Sequence, residues 1–234
     1  MEKYKKILMS DSIVSSIHVE TSQEPFVDLI NFDSDILVDQ SQSQIASKSV
    51  FFSFVRLSVA EKLVAAKRFL PKGIHFYVKE GYRPLSVQQH AFERTLKKLE
   101  QSFPHFQQVD LIAEAAKYVA PPEVAPHPTG GAVDLTLIDS NGIELDLGTR
   151  FNASPHDTDN ATYTDATNIP LHARENRQIL SNALQAVGFV NYFTEWWHWS
   201  LGDRYWAVMT NAKKALYNPV SEQELSDLLH RTVT

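Results

Sequence analysis

The order of apolar and polar residues predicts a chain in which helices and short strands are mixed. RLSVAEKLVAAKRFL (56–70) spaces its apolar residues helically, and similar patterns cover about 86–102, 106–119 and 171–187. Ser221 and Glu224 have the spacing of a capping box and predict a last short helix. Alternating or β-branched stretches predict strands in 26–39, 74–80, 132–139, 143–148, FVNYF, EWWHWSL and RYWAVM.

The remaining segments are predicted to be turns and loops. Residues 1–24 are weakly patterned, 39–47 are polar, 121–131 are stiffened by proline, and 149–170 have little periodicity. A loop as long as the last one is often functional. Ser140-Asn141-Gly142 predicts a hairpin turn between 132–139 and 143–148. With no repeat and no linker, the pattern indicates one α+β domain over 1–234, with helices packed on an antiparallel central sheet.

Composition narrows the range of functions. The chain has 234 residues, of which 43% are hydrophobic, and a formal net charge of -6. A sequence this acidic, without a basic stripe, gives no reason to expect nucleic acid or an anionic membrane as partner. Cysteine is absent, which excludes disulfides, thiolate catalysis and zinc held by sulfur. The N-terminus lacks the roughly 7–15 apolar residues of a secretion signal, so a cytoplasmic protein is expected.

The most unusual stretch is EWWHW, where Glu195 and His198 stand among three of the four tryptophans. A neutral buried imidazole is a good zinc ligand, and a nearby carboxylate can act as a general base. The alternative is an aromatic core in which the histidine is simply hydrogen-bonded. The stretch alone does not separate the two.

Two further candidates lie elsewhere in the chain. His127 and Asp134 are separated by a Pro- and Gly-rich loop, and Gly130 and Gly131 allow that loop to fold the imidazole back beside the carboxylate. Asp134 then either binds a cation or lies on a solvated strand face. Arg83, in the turn GYRP, either points into a pocket as a donor to a carboxylate or oxyanion, or is a surface arginine.

Taken together, these motifs resemble the zinc-dependent D-alanyl-D-alanine dipeptidases of the vancomycin-resistance type. Those enzymes belong to the D-Ala-D-Ala metallopeptidases, which share a fold with the hedgehog signalling domain. The family pattern Ser-x-His-x-x-Gly-x-Ala-x-Asp is matched over residues 125–134 except at its first position, which is Ala125. The segments LDLGTRF, GFVNY and EWWH are also similar to the family, and the likeness extends from about Arg56 to Trp206.

The resemblance implies a role for each residue. His127, Asp134 and His198 would bind one zinc ion per chain, Glu195 would be the general base, and Arg83 would steady the substrate carbonyl. The predicted substrate contacts are Tyr82 and Asn152. The tryptophans are expected to wall the cavity.

The expected reaction is hydrolysis of D-Ala-D-Ala or a similar small D,D-dipeptide. Asn152 stands where the family places an aspartate that meets the free ammonium of the dipeptide, and a neutral amide supplies no counter-charge to that ammonium. The alternatives are a D,D-carboxypeptidase or endopeptidase acting on longer peptidoglycan stems, and a non-catalytic zinc-bearing binding domain. Of the other histidines, His156 is the one that the long loop could bring over the site. The oligomeric state is not indicated.

Overall fold

The computed structural model describes residues 6–41, 45, 47 and 49–231. For residues 230 and 231 it describes the backbone and not the side chains. Residues 1–5 of the weakly patterned N-terminal segment, four positions of the loop predicted over 39–47, and the side chain of His230 lie outside this description. No described helix combines the length and the apolar character that crossing a bilayer would require.

A five-stranded sheet forms the centre of the fold. The described strands are β1 (Phe26–Asp28), β2 (Ile36–Val38), β3 (Phe54–Arg56), β4 (Ile74–Glu80), β5 (Ala132–Asp139), β6 (Val190–Asn191) and β7 (His198–Ser200). The order in the sheet is β2-β4-β5-β7-β6. All of its pairs are antiparallel except β2–β4 at one edge, which is parallel. A separate antiparallel pair joins β1 and β3.

Helices cover the sheet, which confirms the predicted α+β class. They are α1 (Ser12–Ser15), α2 (Leu57–Ala66), α3 (Leu85–Ser102), α4 (Gln108–Ala115), α5 (Leu171–Gln185), α6 (Arg204–Thr210) and α7 (Glu222–Arg231). The main core forms where α2 and α5 pack on one face of the sheet, through residues such as Leu63 and Leu184 against Leu135 and Leu137. This burial of apolar area is the principal stabilising contribution to the fold.

Strand β5 is buried on both faces. Val133, Leu135 and Leu137 face the main core, and the pleat therefore directs Asp134 and Thr136 to the opposite face. Those two side chains are also buried, at 2% and 1% exposure. The solvated strand face that the sequence allowed for Asp134 is thus excluded.

The strand predicted over RYWAVM is wrong, because this segment forms helix α6. The Asp203 carboxylate accepts a hydrogen bond from the backbone N–H of Trp206 at 2.9 Å and so caps the helix. Asn211 then ends it in the left-handed conformation, at φ 56°. Aromatic and β-branched residues favour strands, but here the cap determines the structure.

The predicted hairpin is only partly present. The turn forms, with the Asp139 carboxylate accepting from the backbone of Asn141 and Ile143. The second strand, however, is reduced to a single bridge between Ile138 and Glu144. Beyond it, side chains of α5 hold the chain at Asp146: His172 hydrogen-bonds the Asp146 carboxylate, and Asn176 donates to the Asp146 carbonyl oxygen.

Candidate metal centre

The loop before β5 brings His127 beside Asp134. Residues His127–Thr129 form one 3-10 turn, and Gly130 follows at φ 72°. A side chain at Gly130 would also overlap the Phe26 ring, since a Cβ there would lie 2.1 Å from it. This reversal places His127 Nε2 at 3.4 Å from Asp134 Oδ1.

Strand register supplies the third residue. Asp134 pairs directly with His198 on β7, and directly opposed residues project from the same face of a sheet. His198 Nδ1 lies 3.0 Å from Asp134 Oδ1. One potential ligand atom from each of His127, Asp134 and His198 lies within 4.8 Å of the other two, and all three residues are buried.

Hydrogen bonding fixes how His127 faces this centre. Its Nδ1 lies 2.6 Å from the carbonyl oxygen of Gly81. Because a carbonyl only accepts, Nδ1 carries the proton and donates it, which leaves the Nε2 lone pair directed toward Asp134. A metal-ligating histidine is usually oriented by such a partner on its other nitrogen.

The charges of the three residues suit a cation. Although burial opposes it, the imidazoles of His127 and His198 hold the pKa of the Asp134 carboxyl well below its usual range. Burial lowers the pKa of His198, against the opposing effect of Asp134, and so favours the neutral ring that a metal needs. Two imidazole nitrogens and one carboxylate oxygen, converging in a buried site, fit a single metal ion with an open position.

Glu195 lies at the edge of this centre, in the turn that leads into β7. Its backbone carbonyl accepts from His198 N at 3.2 Å, which holds the two residues close together. Burial, and the Asp134 carboxylate nearby, raise the pKa of Glu195 well above its usual value, while Arg83 opposes the shift. A carboxylate in this setting has an increased affinity for a proton.

Arg83 is held rigidly by residues that the sequence analysis missed. Its Nε and NH2 nitrogens donate to the two carboxylate oxygens of Glu80, at 3.1 and 2.6 Å, and NH1 donates to Gln88 at 2.9 Å. Although burial opposes it, Glu80 raises the pKa of Arg83. In the sequence, the sign of such a partner is the charged pair Lys79-Glu80, which ends a strand of mostly apolar and aromatic residues.

The ligand set, Glu195 and Arg83 all line one cleft of about 390 Å³. Asn152 lines it too, in the left-handed conformation at φ 58°. A smaller cavity of about 280 Å³ adjoins the cleft and shares four residues with it, and His156 lines this second cavity instead of the cleft. The shared residues are Thr95, Lys98, Tyr118 and Ser154.

The structure does not bring Tyr82 to the cleft. Its ring is fully buried against Phe26, and its hydroxyl donates to the carbonyl oxygen of Val220 at 2.9 Å. The tryptophans of EWWHW are expected to line the cleft, but among the described residues Trp197 alone does so. Trp196 and Trp199 belong to the main core.

Comparison with known proteins identifies the family of this chain. The family model described as D-Ala-D-Ala dipeptidase, a Peptidase_M15 family, matches residues 35–216, which include every residue of the centre. The chain belongs to the D-Ala-D-Ala dipeptidase family. Its curated relatives include a Synechocystis D-alanyl-D-alanine dipeptidase, 29% identical over 57% of this chain and 62% of that protein. The Enterococcus faecium D-alanyl-D-alanine dipeptidase is 31% identical over 62% of this chain and 71% of that protein.

The first of these matches therefore spans less than two thirds of the relative's length. Among solved structures, one described as the LdcB LD-carboxypeptidase, in connection with peptidoglycan recognition, aligns with 92% of this chain and 98% of that chain. The sequence identity is 15% and the TM-score is 0.40.

In this member of the D-Ala-D-Ala dipeptidase family, a cluster of buried polar side chains lies close to His198, in addition to the metal centre. Asp203 is 1% exposed and interacts electrostatically with the His198 imidazole. Four buried polar atoms of this region have no hydrogen-bond partner among the described residues: His198 Nε2, Ser200 Oγ, Asp203 Oδ2 and the Tyr205 hydroxyl. The sequence pattern, which predicts a strand over 204–209, gives no sign of this cluster.

Proposed function

We propose that this protein is a zinc-dependent peptidase that hydrolyses D-Ala-D-Ala or a similar small D,D-dipeptide. The observation that carries the proposal is the convergence of His127, Asp134 and His198, whose ligand atoms lie within 4.8 Å of one another. Glu195 and Arg83 line the same cleft. The membership of the D-Ala-D-Ala dipeptidase family supports the same reaction class.

The two histidines and Asp134 would hold the zinc ion. The chemistry that zinc supplies when bound is polarisation of the substrate carbonyl and a lower pKa for the attacking water. The donor set suits catalytic zinc because it consists of imidazole and carboxylate groups, and because three protein ligands leave a coordination position open.

Glu195 is the proposed general base. Its carboxylate would accept a proton from the attacking water and later deliver it to the leaving amine. Burial and Asp134 raise the pKa of Glu195, and this gives its carboxylate the proton affinity that a base requires. Its side chain is partly buried and lines the same cleft as the ligand set, which supports this role.

Arg83 is proposed to stabilise the substrate oxygen as it gains negative charge. Glu80 and Gln88 hold its guanidinium at the cleft, so little reorganisation is needed when charge develops. The NH2 nitrogen also lies 3.7 Å from Asp134 Oδ2, so this cation borders the ligand set directly.

The direct test is release of free D-alanine from D-Ala-D-Ala by the purified, zinc-loaded protein. We expect a chelator to abolish the activity and added zinc to restore it. Glu195→Gln should lower kcat by roughly 10²–10⁴-fold, as loss of general-base catalysis does, while the zinc content stays unchanged. Glu93→Gln is the matched control, since Glu93 is exposed and does not line the cleft. Wild-type turnover by Glu195→Gln would exclude the assigned role.

One observation favours a second candidate substrate, a longer D,D-peptide. The adjoining cavity extends the cleft past the space around the metal centre. A true dipeptidase should cleave D-Ala-D-Ala faster than its N-acetylated form, whereas an enzyme for longer stems should prefer the acylated compound.

A further inference from the structure

Two cations project into the cleft from helix α3. Arg94 and Lys98 are both exposed, and both line the cleft. They are four residues apart, which places them one above the other on the same side of a helix. Neither side chain has an ion pair or hydrogen bond to another described residue.

The carboxylates of the cleft do not lie on helix α3 with the two cations. Within the described chain, the carboxylates that line the cleft are those of Asp134 and Glu195, and both lie at the metal centre. Away from the metal centre, no described carboxylate lines the cleft, although Asp157 lines the adjoining cavity together with Lys98. Two like charges at this helical spacing disfavour the helix slightly unless an anion lies between them.

The two cations differ in charge from the protein as a whole, which carries a formal charge of -6. Two neighbouring cations in the cleft, neither of them neutralised by a carboxylate, attract anions locally. A guanidinium can bind a carboxylate through two parallel hydrogen bonds, and an ammonium adds a point charge. Lys97, the neighbour of Lys98, is equally exposed but does not line the cleft.

Resting on the proposed peptidase function, we propose that Arg94 and Lys98 bind a carboxylate group of the substrate. The pair would then determine specificity, because substrates that place a carboxylate against α3 would bind more tightly than neutral ones. That carboxylate has two possible sources. It is either the C-terminal carboxylate of the dipeptide or a carboxylate on a group that acylates its N-terminus.

The experiment measures equilibrium binding, which does not depend on turnover. Isothermal titration calorimetry uses the full, zinc-loaded chain carrying Glu195→Gln, alone and combined with Arg94→Gln/Lys98→Gln or with the control Lys97→Gln. The titrants are D-Ala-D-Ala, its C-terminal amide, and the N-acetyl and N-succinyl dipeptides. A thermal melt of each variant confirms folding, which these exposed positions should not disturb.

We expect the double substitution to raise Kd about tenfold for the titrant whose carboxylate meets the pair, as two exposed charge pairs allow. Lys97→Gln should leave every Kd within about twofold, since surface changes away from a site have little effect. A loss for the free dipeptide but not for its amide identifies the C-terminal carboxylate. A larger loss for the N-succinyl than for the N-acetyl compound identifies the acyl carboxylate.

Several results would overturn the inference. These are equal losses for titrants with and without the carboxylate that the pair is proposed to bind, unchanged Kd values for all four titrants, and failure of all four to bind. The peptidase proposal is judged separately, by whether the wild-type enzyme releases D-alanine from any of the compounds. Raising the salt concentration should reduce the difference between variants, because exposed charges are screened.

Discussion

The buried ion pair between Glu80 and Arg83 offers a quantitative test of how the cleft is built. Glu80 is fully buried and accepts three hydrogen bonds, two from the Arg83 guanidinium and one from the backbone N–H of Ser47 at 3.0 Å. Glu80→Gln keeps the volume of the side chain but removes its charge. It also turns an amide NH2 toward at least one of these donors, and so leaves a buried cation poorly compensated.

The expected cost follows from this geometry. Removing one partner of a buried ion pair costs about 3–5 kcal/mol. The lower end, about 3 kcal/mol, applies here because the Arg83 guanidinium stays within 3.7 Å of Asp134 and keeps its bond to Gln88. For a protein of this size, that corresponds to a fall in Tm of roughly 6–12 °C.

The assay is urea unfolding followed by circular dichroism, with a thermal melt alongside. Glu144→Gln is the matched control, because the Glu144 carboxylate accepts from Lys79 at 2.6 Å but its side chain is 45% exposed. Loss of this half-exposed charge should cost at most about 1 kcal/mol, because Lys79 keeps its hydrogen bond to Asp39 at 2.9 Å. If Glu80→Gln costs no more than Glu144→Gln, the idea that the buried pair fixes Arg83 is refuted. The activity of Glu80→Gln should also fall, since Arg83 loses its fixed orientation.

Three further predictions concern the metal, the His198 environment and the backbone. Adding a chelator to protein equilibrated at a free zinc concentration of 100 times Kd should remove about 2.7 kcal/mol of stability, and an unchanged Tm would contradict the metal assignment. Asp203→Asn keeps the cap on Trp206 N but removes the charge near His198, so zinc affinity measured by dye competition should fall at least about tenfold. An unaltered affinity would show that Asp203 serves only the helix. Gly202→Ala should cost over about 2 kcal/mol in urea unfolding, because its Cβ would lie 2.4 Å from Tyr217 and φ is +78°. Gly142→Ala, at φ +80° but in open space, isolates the dihedral cost of about 1 kcal/mol.

The parts of the fold that sequence could predict are those governed by local periodicity. The pattern of α3 is amphipathic over its whole length, and the helix found, Leu85–Ser102, agrees with the predicted one to within a residue. In strand β5, apolar residues alternate with Asp134 and Thr136 over 133–137, and the bounds of the strand match the predicted ones. The loop that returns His127 to Asp134 was predictable because two glycines allow the reversal, and Gly130 does adopt a positive φ.

Tyr82 shows where that reasoning fails. It adjoins Arg83 in the chain, and a motif shared by neighbours suggests a shared site. In extended backbone, however, successive side chains point in opposite directions. Arg83 consequently reaches the cleft, while Tyr82 is buried against Phe26 on the other side. A substitution at Tyr82 would therefore act mainly through packing.

The deepest reason that the site could not be read completely from sequence is that strand pairing assembles it. Glu80 pairs with Asp134, and Asp134 pairs with His198, so β4, β5 and β7 present these residues as one row. Two carboxylates side by side would repel each other. The Arg83 guanidinium offsets this by lying against both, 2.6 Å from Glu80 and 3.7 Å from Asp134. The same row thus fixes a metal ligand and the cation proposed to bind the carbonyl, so loss of charge at Glu80 should disturb both functions together.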